Sequence, residues 1–427
     1  MLPISVVGQT AELDALLATA TQNWPDLAVR RAELQVADAR LAEARRAFRP
    51  VVSAGGTYTL AAGGRTIGLP LGDLLNPVYG TLNQLTASEN FPSLENQEEA
   101  LLPNNFYDLR ARTQVLILDP EAKRLDDRAT LGRTATLQAT QVTQADLRLA
   151  VRTAYYQALQ AKQALRILAT ADTTVAEALR TTRSLIRNDA ALPIARERIL
   201  AERAEVNAQT AVAKLQLDNA LAQLSYYVGT ELAVKDVSDE VPKPSFLPDS
   251  LGTSVRAEIE QLQTARDLTL LDLEVEEQFR KPRLAFQLDI GSQDFDFGFQ
   301  PYALAALSLN VPLYDGGRHG LRGQRLRAEA EAARQRITAA RRGIELQQTV
   351  AANEVAAARA RLAVFEPAIS AAERTLRDAQ LLYQNGSSGY LELVDARQQL
   401  TRLRLQRNLA YYDIQLRQAA LLRAYGQ

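Results

Sequence analysis

The chain has 427 residues, 47% of them hydrophobic and 23% charged, which is the composition of a folded protein and excludes disorder. Its 49 basic and 50 acidic residues leave a net charge of −1, so no overall positive field recruits nucleic acid. The absence of cysteine excludes disulfides and thiolate metal sites, and a Ser-His-Asp catalytic set would have to use the single histidine, His319, which we interpret as an exposed turn residue. No cofactor and no metal are expected.

The chain begins Met1-Leu2-Pro3-Ile4, without the charged and apolar regions of a secretory signal peptide. No run of about 18 consecutive apolar residues follows, so no transmembrane helix is predicted. If the protein is exported, its signal is expected to be absent from this sequence.

A weak internal duplication predicts two structural repeats, 1–235 and 254–427, joined by a linker at 236–253. Three pairs of segments carry the duplication: Val115 to Asp119 with Val311 to Asp315, Ile186 to Asn188 with Tyr383 to Asn385, and Tyr227 to Gly229 with Ala424 to Gly426. Each repeat is predicted to contain a helix, a strand, a loop, a strand and a helical hairpin. The first repeat has a long external loop at 61–105, rich in Gly, Pro and Asn, which would serve as a surface receptor or a plug.

Four segments are predicted to be strands because polar and apolar residues alternate in them. The alternation is strict at 107–117 and at 284–290, and looser at 51–60 and 303–313. Each strict segment therefore has one apolar and one polar face.

The predicted helices are unusually long. The segment 133–192 contains no Gly or Pro, and about 60 residues of helix would extend roughly 90 Å. The segment 324–383 repeats this pattern, interrupted by Gly343 and Pro367. In it an apolar residue recurs every seven positions, which is typical of a coiled-coil seam formed by Val355, Leu362, Ile369, Leu376 and Tyr383.

Two short polar turns, 188–192 and 385–389, are predicted to close each long helix against a shorter one. Pro193 follows the first turn, at a helix start where its missing N–H costs nothing. Pro367, by contrast, is predicted to kink the second long helix, either as a permanent bend or as a hinge.

Four strands cannot close a barrel, so partner chains must pair with their edges. Three chains would supply about twelve strands, an even number within the range of outer-membrane barrels. The predicted fold class is therefore mainly α, with long α-helical hairpins forming a coiled-coil tunnel and four strands per chain contributing to a 12-stranded trimeric β-barrel.

Five short segments form a recognisable series, namely Gln22 to Leu27, Ala47 to Pro50, Asn310 to Gly317, Tyr383 to Ser388 and Leu393 to Ala396. In this order and with this duplication, they resemble the TolC-like outer-membrane efflux proteins over nearly the whole chain. Two departures are the segment Leu118 to Ala122, where the family usually has Asp-Gly-Gly, and Pro193, near a position that is often acidic.

The resemblance implies a homotrimer in the bacterial outer membrane, in contact with its lipid, with the helical part in the periplasm. It implies an exit duct for an efflux or type I secretion system, docked on a periplasmic adaptor and an inner-membrane pump, and no enzymatic activity. It also implies that the adaptor contacts the hairpin tips, which comprise Arg187, Asn188, Asp189, Asn385, Gly386, Ser387 and Ser388. As plain helix connections, these residues would need only turn chemistry.

Glu392 and Asp395 lie three positions apart, so their carboxylates share one helix face. The resemblance implies that both match acidic positions that narrow the periplasmic mouth and form a gate. Mutual repulsion among three copies would be relieved by cations or by Arg397 or Arg402. The alternative is that both are ordinary helix-start carboxylates, stabilised by the positive end of the helix.

Two other functions fit parts of the sequence. A soluble coiled-coil scaffold accounts for the helices and has no use for the strands. A hydrolase with surface carboxylates lacks a recognisable combination of nucleophile, base and orienting group.

Overall fold

The protein is described by a computed structural model over residues 11–102, 104–238, 256–385, 387 and 390–427. Most of the predicted linker, 236–253, lies outside these residues. The helices are α1 Ala11–Asn23, α2 Pro25–Ala44, α3 Leu71–Thr86, α4 Pro120–Lys123, α5 Leu125–Arg187, α6 Pro193–Val228, α7 Ala257–Glu277, α8 Arg318–Ala363, α9 Phe365–Gln384 and α10 Tyr390–Ala424. The strands are β1 Val51–Thr59, β2 Thr66–Leu69, β3 Gln97–Ala100, β4 Phe106–Leu118, β5 Arg283–Phe295 and β6 Pro301–Asn310.

None of the helices in the described ranges combines the length and the apolarity that crossing a bilayer would require.

Two compact units make up the chain. One comprises residues 1–41, 128–271 and 325–427, and the other comprises 42–127 and 272–324. Each unit therefore combines segments from both halves of the sequence. The division into repeats at 1–235 and 254–427 stays a prediction about the sequence.

The second unit contains a four-stranded antiparallel sheet in the order β1-β4-β5-β6. These strands correspond to the four predicted segments. β6 ends at Asn310 and not at Leu313 as expected, because Pro312 has no N–H to continue the ladder. β1 and β6 are the edge strands, and each pairs with one neighbour among the described residues.

The two faces of this sheet differ in chemistry. One face carries exposed apolar side chains, with Val52 69%, Leu109 61%, Ile290 58% and Leu307 65% exposed. The other face is polar and ion-paired. Arg112 donates from Nε and Nη2 to the two carboxylate oxygens of Asp289 at 2.8 and 2.7 Å, and Tyr302 donates to Asp108 at 2.9 Å.

The segment 61–105, predicted as a loop, contains β2, β3 and α3. Asparagine side chains hold it together, because their amide groups form hydrogen bonds with backbone N–H and C=O groups as another strand or turn would. Asn76 accepts from Leu94 N at 2.7 Å and donates to Leu94 O at 2.9 Å. Asn83 makes the same pair of bonds with Phe91, at 3.1 and 2.8 Å. The segment is therefore a folded excursion between β1 and β4.

The two junctions between strand and helix use different chemistry. Before α8, Gly316 and Gly317 have φ of 73° and 77°, a left-handed conformation that glycine adopts without steric cost. After β4, where the sequence departs from the family, Asp119 caps α4 by accepting from Glu121 N at 2.8 Å and Ala122 N at 3.1 Å. Pro120 follows it at the first helical position.

His319 is not the exposed turn residue that we expected. It lies in the first turn of α8, half-buried, with its ring stacked on Phe279 at 4.8 Å between centroids. Its Nδ1 is 3.2 Å from Asp315 Oδ1. These contacts give the histidine a packing role at the strand-to-helix junction.

The first unit is helical. α5 has 63 residues and extends about 95 Å. Its middle packs into the largest core, with Leu147, Tyr155, Leu224 and Tyr412 at most 3% exposed. In the second half, the predicted seam points inward: Val355 is buried, and Leu362, Ile369, Leu376 and Tyr383 are half-buried.

Candidate functional site

The first hairpin turn joins α5 to α6. Arg187 ends α5, and Asn188 and Asp189 form an exposed turn in which Asp189 has φ of 55°. Ala190 N donates to Leu185 O at 2.8 Å and so satisfies one of the last helix carbonyls. As predicted, Pro193 occupies the start of α6. Leu192 and Ile194 are 73% and 57% exposed, so this turn presents apolar side chains as well as polar ones.

The second hairpin turn joins α9 to α10. Asn385 follows α9, and Ser387 N donates to Leu382 O at 2.9 Å, again closing the end of the helix. Gly386 and Ser388 lie outside the described residues. Leu382 and Leu391 are 48% and 51% exposed. The five described tip residues thus belong to two hairpin turns, and the contact of the predicted tips with an adaptor stays a prediction.

The two hairpins pack on each other next to these turns. One core joins all four helices and comprises Val175, Leu179, Ala195, Ile199, Ala379, Tyr390, Leu393, Val394 and Ala396. Tyr383 packs against it, with its ring 5.4 Å from that of Tyr390 and its hydroxyl 3.1 Å from Thr182 Oγ1. The turns therefore rest on a common packed base.

A buried ion pair links the hairpins beside this core. Arg397 on α10 donates from Nη2 to Glu202 Oε2 at 2.7 Å and from Nε to Oε1 at 3.2 Å. Both residues are buried, at 6% and 5% exposure. Tyr390 donates to the same carboxylate at 3.3 Å and also contacts the guanidinium, and burial raises the pKa of its hydroxyl above the ordinary value.

This pair corrects one expectation about the gate. Among the described residues Arg397 forms its ion pair with Glu202, through Nε and Nη2, and not with Glu392 or Asp395. Glu392 and Asp395 are exposed on the first turns of α10, and neither has an ion-pair partner in the part of the chain that the structure describes. Asp395 and Arg402 line a large groove between α5, α6 and α10, of about 1190 Å³. The role of both carboxylates in a gate stays a prediction.

The sequence analysis missed this ion pair, although a signal was present. On α6 the buried residues Ala195, Ile199, Glu202 and Val206 follow one helical stripe, and Glu202 is the only charge in it. On α10 Arg397 occupies the corresponding place between Val394 and Leu400. A charge inside an apolar stripe indicates a buried partner.

Pro367 lies near a break between two helices. α8 ends at Ala363 and α9 begins at Phe365, with Val364 N donating to Arg361 O at 3.3 Å. A proline clashes with the carbonyl four residues before it, which here belongs to Ala363. The interruption thus falls where the ring acts, and a hinge at this point stays a prediction.

A second charged cluster ties α7 to α10 and α5. Arg423 donates to Glu258 at 2.6 Å and to Asp146 at 2.7 Å, and Arg256 donates to Glu258 at 2.7 Å. Partial burial by itself raises the pKa of Glu258, but the hydrogen bonds from both arginines outweigh it and lower this pKa to about 2.

The fold and these hairpins define a class of protein. The part of the chain that the structure describes includes two helical hairpins and a four-stranded antiparallel sheet whose edge strands each pair with one neighbour. This is the fold of the TolC-like outer-membrane efflux channels. The second half also matches by sequence, since residues 254–427 fit the family model described as outer membrane efflux protein. The predicted resemblance to outer-membrane efflux proteins and the predicted combination of long helical hairpins with four strands per chain are therefore confirmed.

Individual solved structures match almost the whole chain. A membrane protein from Pseudomonas aeruginosa is 17% identical with a TM-score of 0.79, over 99% of this chain and 94% of that one. The outer membrane protein VceC from Vibrio cholerae is 17% identical with a TM-score of 0.74, over 97% and 96%. The CmeC outer membrane channel of Campylobacter jejuni is 14% identical with a TM-score of 0.76, over 100% and 90%. No curated protein matches the chain by sequence.

Proposed function

We propose that the chain is one subunit of a homotrimeric outer-membrane exit duct, which conducts cargo and performs no catalysis. The observation that carries the proposal is the sheet. One of its faces is apolar and exposed, the opposite face is polar and ion-paired, and within the described ranges each edge strand pairs with one neighbour only. An exposed apolar face suits lipid, a polar face suits a water-filled lumen, and open edges need partner strands. A soluble coiled-coil scaffold would leave this sheet unexplained.

Three copies are the simplest number that would close the sheet into a barrel. β1 and β6 run in opposite directions because three antiparallel steps separate them. β6 of one copy can therefore pair antiparallel with β1 of the next, and three copies give about twelve strands. The helical hairpins of the three copies would then form the periplasmic tunnel.

Cysteine cross-linking tests this arrangement cleanly, since the chain has no cysteine of its own. Ser53→Cys in β1 is combined in turn with Leu304→Cys, Ala306→Cys and Ser308→Cys in β6, all on the polar face. Oxidation in outer membranes should convert at least one combination to a covalent trimer. Ser53→Cys with Ala305→Cys, on opposite faces, is the matched control and should stay uncross-linked. If no combination gives a trimer, the closed barrel is wrong.

The docking part of the proposal concerns the hairpin turns, where an adaptor linked to an inner-membrane pump would bind. It is supported by the exposed turn residues and by the apolar side chains beside them. Ser387→Trp should abolish export and adaptor copurification while the trimer stays in the membrane. Ser370→Trp, at an exposed position on α9 about 25 Å along the helix from the turn, should do neither. Normal export by the Ser387 variant would disprove docking at this turn.

A further inference from the structure

A groove on the first hairpin carries an unusual concentration of arginine. It lies between α5 and α6 near their turn and has a volume of about 480 Å³. Three apolar lining residues, Ala176, Leu179 and Ile186, are buried or half-buried, and we call them its floor. Its walls are basic and comprise Arg180, Arg183, Arg187, Arg196 and Arg203.

Most of this positive charge is not neutralised. Arg180, Arg183 and Arg187 are exposed and have no ion-pair partner among the residues that the structure describes. Arg203 pairs with Asp172 at 3.0 Å, and Arg196 pairs with its sequence neighbour Glu197 at 3.4 Å. The planar guanidinium groups are therefore available to bind carboxylates of another molecule.

The spacing of the arginines indicates which kind of ligand the groove would bind. Arg180 and Arg187 are seven positions apart on α5, and Arg196 and Arg203 are seven apart on α6. Seven residues are two helical turns, about 10.5 Å, so each wall repeats with the period of a coiled coil. Two basic rows on either side of an apolar floor complement a helix that has an apolar stripe between two acidic rows.

We infer that this groove binds an acidic amphipathic helix of the periplasmic partner, an inference that rests on the proposed docking of the hairpin tips. A second copy of this chain suits the groove poorly. Arginines outnumber acidic residues in α8 and α10, which would bring like charges together. In α9, Arg374 and Arg377 accompany its three acidic residues, so this helix lacks purely acidic rows. A free polyanion would use the arginines and leave the apolar floor without a role.

Synthetic helices test the chemistry directly. Three labelled peptides serve as probes, two of them helices of about three heptads with Leu at positions a and d. The Leu/Glu peptide has Glu at positions e and g, and the Leu/Lys peptide has Lys there. The third probe is a polyglutamate with the same charge as the Leu/Glu peptide. Their binding to the full-length protein in detergent is measured by fluorescence anisotropy. The Leu/Glu peptide should bind at least about tenfold more tightly than the other two, and rising salt should weaken it.

Charge reversal locates the binding. Arg183→Glu with Arg187→Glu should lower Leu/Glu peptide affinity at least about tenfold and favour the Leu/Lys peptide instead. The matched control, Arg336→Glu with Arg341→Glu on exposed positions of α8, should bind like the wild type. Unchanged binding in the groove variant overturns the inference. So does polyglutamate binding as tightly as the Leu/Glu peptide, because that would make the groove a plain electrostatic patch.

Assembly and conductance separate this inference from the duct itself. If the groove variant dissociates the trimer and the wild type binds no peptide, the groove is an interface between copies, and the inference is wrong. If wild-type trimers conduct in lipid bilayers but bind no peptide, only the inference fails. If the wild type neither forms trimers nor conducts, the proposed function fails as well.

Discussion

The buried ion pair between the hairpins gives the sharpest quantitative prediction. Arg397→Met removes the guanidinium and leaves the carboxylate of Glu202 buried, with Tyr390 as its remaining hydrogen-bond donor. The two side chains are 6% and 4% exposed, so little solvent contacts the carboxylate in place of the lost partner. Breaking a buried pair from one side costs about 3–5 kcal/mol of unfolding free energy. Glu202→Leu with Arg397→Met removes both charges and should cost less than about 1.5 kcal/mol.

The assay is a double-mutant cycle on the full-length protein in detergent, with denaturant unfolding followed by circular dichroism at pH 7. A surface pair of the same length supplies the control. Arg404 and Glu373 are 2.8 Å apart but 39% and 45% exposed, so Arg404→Met should cost less than about 1 kcal/mol. If Arg397→Met costs no more than Arg404→Met, or if the double variant is as unstable as the single one, then burial does not set the energy of this pair.

Three further predictions concern the charged cluster around Glu258, the gate carboxylates and the break between α8 and α9. Because the pKa of Glu258 is lowered to about 2 from the ordinary value of 4.5, its stabilisation is complete above pH 4.5 and is lost as pH falls toward 2. Glu258→Gln should therefore cost about 2 kcal/mol at pH 7 and little at pH 2, and an equal cost at both pH values in unfolding curves would refute the assignment. Glu392→Ser with Asp395→Ser should weaken cation preference and divalent-ion block in single-channel recordings, whereas unchanged recordings would leave the two carboxylates as helix-start residues. Pro367→Ala should join α8 to α9 and change channel opening if Pro367 is a hinge, and unchanged conductance would leave only a permanent bend.

The excursion between β1 and β4 contains a helix that its composition did not predict. The Gly, Pro and Asn content predicted a loop at 61–105, but the asparagine side chains bind backbone groups up to 43 residues away. These bonds hold α3 in place although Pro77 lies within it. Local turn propensity therefore predicted the ends of the segment and missed the helix inside.

The sequence by itself determined the elements whose signal is periodic and local. The inward-facing seam at Val355 and Tyr383 repeats every seven residues, and the strands at 107–117 and 284–290 alternate every two, because helix and strand geometry impose those periods. Only the tertiary structure decided which charges meet. Glu202 and Arg397 are 195 residues apart, and Arg112 and Asp289 are 177 apart, so no local period relates the partners. Their pairing follows from which helices and strands pack together, since a charge is stable in a buried position only where folding brings an opposite charge to it.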